Sequence, residues 1–94
     1  MDTEEIISEI KSYCEKGLLN GLHFDVQYGS MTNILRAQNI HVENNDVVFD
    51  QYSVRLGQFT YHNDYLCEHD IDYLQSLIAK IRESVKIDKN LFQL

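Results

Sequence analysis

Ninety-four residues, 44% of them apolar and 24% charged, make one domain's worth of ordinary globular chain, far from a disordered composition. Fifteen Asp and Glu against eight Lys and Arg give a net charge of −7, which leaves no basic stripe for a phosphate backbone and argues against ordinary DNA or RNA recognition. No apolar run approaches the roughly 18–20 residues of a membrane span, and the acidic start Met1-Asp2-Thr3-Glu4-Glu5 is the opposite of a signal peptide.

The first helix is signalled by Asp2 as N-cap with Glu5 three residues on, and by Glu4 and Glu5 at the positive end of the helix dipole. Ile6, Ile7, Ile10, Tyr13 and Cys14 recur at three- and four-residue steps and form its apolar stripe. Gly17 supplies a left-handed stop after Lys16, and Asn20-Gly21 reads as a turn.

Residues 22–28 alternate strictly. Leu22, Phe24, Val26 and Tyr28 face one way and His23, Asp25 and Gln27 the other, the pattern of a half-buried antiparallel strand. Gly29-Ser30 ends it. Residues 31–39 fit either one helical turn capped by Ser30 or a bulged strand, and Ile34–Ala37 is read as strand. Ile40-His41-Val42 and Val47-Val48-Phe49 flank a polar hairpin connection, Glu43-Asn44-Asn45-Asp46. Tyr52–Leu56 alternates again, and a phase shift at Gly57 suggests a bulge before Phe59 and Tyr61. His62-Asn63-Asp64 is expected to turn the chain and Tyr65-Leu66-Cys67 to form a short extended piece.

The last helix opens on Asp70 as N-cap with Asp72 in its first turn. Ile71, Leu74, Leu77, Ile78, Ile81 and Val85 form its apolar face, Lys80, Arg82, Lys86 and Lys89 gather at its negative end, and Leu91, Phe92 and Leu94 make an apolar tail. The order implies a single α+β domain over residues 1–94. It has an N-terminal helix, an antiparallel sheet of four to five strands and a C-terminal helix, with both helices on one face. His23, Asp25, Gln27, Ser53 and Arg55 are the polar positions expected on the other face.

Chemistry is sparse. Gly17, Gly21, Gly29 and Gly57 are isolated, so no phosphate-cradling loop is present, and no hydrolase or zinc-protease motif appears. His62, Cys67 and His69 are metal-ligand types, with Asp64 or Asp70 to complete a set, but a second paired ligand cluster is lacking. Cys67 beside His69 invites a thiolate–imidazole reading, yet residues two apart do not normally meet productively. No catalytic residue, metal or cofactor is assigned. The two cysteines, Cys14 and Cys67, are too few for a secreted disulfide framework and read as free thiols of a reducing, cytoplasmic setting.

The charge distribution says more. Residues 17–79 carry −6 with Arg36 and Arg55 as their only bases, while residues 80–94 carry +2. Between Gln58 and Gln75 there is no Lys or Arg, and Asp64, Glu68, Asp70 and Asp72 are interleaved with Tyr61 and Tyr65. Acids mixed with tyrosines suit an interface for a basic protein. Glu43, Asp46 and Asp50 extend that patch if their loops lie nearby. The expectation is a small non-enzymatic binding protein, with Tyr61, Asp64, Tyr65, Glu68, Asp70 and Asp72 as its partner-binding residues. In the sharper version its carboxylates imitate DNA phosphates and inhibit a nucleic-acid-binding protein. Plentiful Ile, Asn and Tyr with only two Ala and no Pro point to AT-rich coding, as in a low-GC microbe or its phage. The alternatives are a homo-oligomer joined through a sheet edge or the Leu91-Phe92-Leu94 tail, and, more distantly, a His/Cys ligand site or enzyme.

Overall fold

The computed structural model describes the backbone of residues 1–27, 34–55 and 58–92, and the side chains of all of these save 58–64, 68 and 87–92. The readings made at Tyr28, Ser30, Gly57 and Leu94 lie outside the described residues. The chain is α+β: an N-terminal helix, an antiparallel sheet and a C-terminal helix, as the sequence pattern implies.

Helix α1 (Thr3–Glu15) starts where Asp2 Oδ1 accepts the Glu5 N–H at 2.8 Å, satisfying one of the orphan donors of the first turn. It stops at Gly17, whose φ of +72° lies in the left-handed region that glycine adopts most readily and whose N–H reaches the Cys14 carbonyl at 3.0 Å. Ile6 and Ile10 are fully buried, and Ile7, Tyr13 and Cys14 pack against the same core.

Four strands follow, β1 (His23–Gln27), β2 (Ile34–Glu43), β3 (Asp46–Ser53) and β4 (Gln58–Tyr65), in spatial order β1-β2-β3-β4. Each neighbouring pair is antiparallel. Asn44 and Asn45, at φ +52° and +70°, make the two-residue left-handed turn between β2 and β3 that matches strand twist. Lys11 reaches across from α1 to hold that turn, bonding the Asn45 carbonyl at 3.2 Å and its side-chain oxygen.

Several expectations change here. Ile34–Ala37 and Ile40–Val42 are one strand, because Asn39 takes a left-handed conformation (φ +54°) and the register shifts between Gln38 and His41, absorbing one residue as a bulge. Val47–Phe49 and Tyr52 are likewise continuous, and Arg55 falls in the turn after β3. His62-Asn63-Asp64 is not a turn but lies inside β4. A polar run is tolerated there because β4 is the terminal strand. The chain then turns at Leu66–Glu68, a single 3₁₀ turn and not an extended piece, closed by the His69 N–H on the Leu66 carbonyl at 3.1 Å.

Helix α2 (Ile71–Phe92) is capped by Asp70, whose Oδ1 accepts the Tyr73 N–H at 2.9 Å. Its buried face is Tyr73, Leu74, Leu77, Ile78 and Ile81, with Ile71 and Val85 partly covered. Both helices contribute to one core with Phe24 and Val26 of β1, Ala37 and Ile40 of β2, Val47 and Phe49 of β3, and Leu66. Each fully buried Leu or Ile contributes about 1.5–3 kcal/mol of transfer free energy. At the solvent edge of this layer Arg82 clasps Glu9, Nε to Oε2 at 2.6 Å and Nη2 to Oε1 at 2.7 Å, joining α2 to α1. Among the described residues no helix is long and apolar enough to cross a membrane.

Candidate functional site

Strand pleating assigns alternate residues to opposite sides of a sheet. On β3 the core row is Val47, Phe49, Gln51 and Ser53, all buried. Ser53, expected on the solvent side, therefore belongs to the core side at 5% exposure. The opposite row, Asp46, Val48, Asp50 and Tyr52, faces away from both helices.

Register extends that second row across the sheet. Asp25 stands opposite Arg36, Arg36 opposite Tyr52, Gln38 opposite Asp50, His41 opposite Val48, Glu43 opposite Asp46, and Val48 opposite Tyr65. Among the described residues the side away from the helices thus carries Asp25, Glu43, Asp46 and Asp50, with Arg36 as its one guanidinium. Arg36 is committed at one end. Its Nε lies 2.8 Å from Asp25 Oδ1, its Nη2 lies 3.4 Å from Oδ2, and its guanidinium stands 5.9 Å from the centre of the Tyr52 ring. The hydrogen bond from Arg36 holds the Asp25 carboxyl below the usual carboxylate range.

The other end has no such guanidinium. Glu43 and Asp46 are directly opposed across the hairpin, a like-charge pair of the kind that weakens cross-strand pairing. His41 stands between two acceptors, with Nδ1 2.7 Å from the Asn39 carbonyl and Nε2 3.3 Å from Glu43 Oε2. Asp50 Oδ2 accepts a long hydrogen bond from Asn39 Nδ2 at 3.5 Å. Val48 forms a fully buried floor between His41 and Tyr65, and Tyr65 is 43% exposed.

The residues singled out from sequence separate. Tyr65 joins Asp46, Val48 and Asp50 on the side away from the helices. Tyr61 and Asp64 occupy register positions opposite Gln51 and Phe49, both in the core row of β3. Glu68 is in the 3₁₀ turn. Asp70 and Asp72 are exposed at the start of α2, and the Asp70 carboxylate is engaged as the helix cap.

The residues of the metal and thiolate readings separate too. His69 packs as an aromatic, 5.2 Å from the Phe49 ring centre and 4.7 Å from that of Tyr73. Cys67 is exposed, Cys14 is half-buried with its thiol pushed up by burial, and neither is in a disulfide. Among the described residues no group of three or more His, Cys, Asp or Glu is placed to hold a metal ion.

Sequence reading missed the pairing of Arg36 with both Asp25 and Tyr52. The only signal was strand parity, and that becomes usable once the Asn39 bulge fixes the register.

No family model matches the chain, and neither a curated protein nor a solved structure matches it.

Proposed function

We propose that this chain is a small non-enzymatic binding protein whose partner is a protein with a basic surface. The observation that supports it most is the stretch from Leu56 to Ala79. It contains four carboxylates and no Lys or Arg, and it presents Tyr65, Asp70 and Asp72 exposed at the junction of sheet and second helix. An acidic stretch whose sequence holds no Lys or Arg favours cationic partners and repels nucleic acid, while an exposed Tyr supplies contact area at low entropic cost. A nucleic-acid-binding protein, blocked by carboxylates that stand in for phosphates, is the sharper form of the reading.

The test is capture on immobilised full-length chain across a salt series. The expected result is a basic protein released as salt rises and displaced by duplex DNA. Tyr65→Ala combined with Asp72→Lys should abolish capture while leaving the circular dichroism spectrum unchanged. Asp70 is a poor site for this test because its carboxylate also caps α2. Retained capture by the double variant removes this junction from the binding site, and capture that ignores salt removes the charge-based reading altogether.

Self-association through β4 has weaker support. β4 is the terminal strand, but two register shifts against β3 place extra residues in it, and bulges of this kind blunt an edge against pairing.

A further inference from the structure

We infer that a second copy of this chain docks on the outer edge of β1, strand against antiparallel strand, in a weak symmetric dimer. The inference goes beyond the reading above and uses the edge of the sheet remote from β4 and Tyr65. Backbone direction decides which residues are available. The Val54 N–H donates to the Ile34 carbonyl at 3.0 Å, so Ile34 and Arg36 direct their backbone groups toward β3. By alternation, Leu35 and Ala37 direct theirs toward β1, where they stand opposite Val26 and Phe24. Phe24 and Val26 therefore bond β2, and His23 and Asp25 turn their N–H and C=O outward.

Open space follows this edge. A cavity of about 330 Å³ lies between Asp25 and, from α2, Ser76 and Lys80. A second, of about 250 Å³, lies at the start of the strand between Gly21, Leu22 and His23. Exposed edges are commonly guarded by a bulge, a proline or a lysine. β4 carries two register shifts, whereas β1 pairs with β2 over five residues without one and contains neither Pro nor Lys.

The edge is complementary to itself. A two-fold axis at Phe24 sets that ring opposite its own copy, Leu22 opposite the second copy's Val26, and His23 opposite the second copy's Asp25. Each of the two His23–Asp25 pairs exchanges a pair of backbone hydrogen bonds. Each also brings an imidazole to a carboxylate that retains acceptor capacity beyond its bonds to Arg36. No like charges are opposed in this register, and Leu22, Phe24 and Val26 continue the apolar row of the helix side from one copy into the next. The interface is isologous, and it leaves β4 and Tyr65 of each copy at the outer ends of the joined sheet.

The test is sedimentation of the full chain, under reducing conditions, from about 10 to about 500 µM, the range suited to a small interface. Dimer should accumulate with concentration, and amide exchange at His23 and Asp25 should slow in parallel. His23→Glu sets like charges opposite each other twice and should weaken association about fivefold or more, while His23→Lys should strengthen it. Ser8→Glu and Ser8→Lys make comparable changes in net charge at an exposed position of α1 and should stay within about twofold of the parent. His23 is itself exposed, and circular dichroism confirms that each variant is folded. A chain that stays monomeric throughout overturns the inference. So does a dimer in which exchange at His23 and Asp25 is unchanged, or one that responds equally to the His23 and Ser8 variants.

Discussion

The two sides of the sheet are made by the same four strands, residue by alternate residue, and they differ in how charge is treated. On the helix side one ion pair joins the two helices. Glu9 is clasped by Arg82, and the apolar rows of β1, β2 and β3 are sealed beneath Ile6, Ile10, Leu74, Leu77 and Ile81. On the other side Asp25 is matched by Arg36 and Glu43 Oε2 lies 3.3 Å from His41 Nε2, while Glu43 and Asp46 also stand opposite each other at the hairpin. The lesson is that stability is built on one side of this molecule and the other is free to serve a different demand.

The comparison can be broken most forcefully from the core. Phe49→Ala removes a fully buried ring that packs on His69 and Tyr73, and should cost about 3–5 kcal/mol in urea unfolding. A domain of this class has only about 5–15 kcal/mol in total, so the variant should sit at the margin of folding. A loss below about 1 kcal/mol would mean that the helix side is not where stability resides. Asp70→Ala, which leaves the Tyr73 N–H without its cap, should cost about 0.5–2 kcal/mol by the same measurement.

On the opposite side the expected sign reverses. Asp46→Asn removes one of two like charges opposed across the hairpin and should raise stability by up to about 0.5 kcal/mol. A destabilised Asp46→Asn would show that this carboxylate serves the fold.

The smallest effect is in the pH dependence. In the folded chain the hydrogen bond from Arg82 lowers the Glu9 pKa below its ordinary value of 4.5, and Arg36 does the same to Asp25. Because the folded values lie below the unfolded ones, each pair's contribution is complete above about pH 4.5 and is lost as pH falls through the folded value. The gap in urea midpoint between the parent and Glu9→Gln should therefore close as pH is lowered from 5 toward 2. A gap that widens in acid contradicts the ion pair.

Much of the helix layer was legible in sequence because its signals are local. Asp2, Glu5, Gly17 and Asp70 each act within four residues, and the apolar stripes follow helical spacing. Tyr73 and Leu19 escaped notice because their burial depends on what packs over them, which no short window contains. The sheet was harder. One asparagine, Asn39, inverts the parity on which strand faces are read, and polar residues at 62–64 signal turn and edge strand equally well. The candidate surface was least legible. Tyr65 and Asp46 are far apart in the chain, and only the pairing of β3 with β4 brings them to one side.

The central claim is that the acidic junction of sheet and second helix, and not the bulk negative charge of the chain, meets a basic partner. Backbone amide chemical-shift mapping with nona-arginine tests it most directly. The account predicts that the largest shifts fall on Tyr65 and on Asp70 to Asp72 at the start of α2, with α1 and the β2–β3 hairpin unmoved. Shifts spread evenly over every acidic position, or confined to α1, would contradict it.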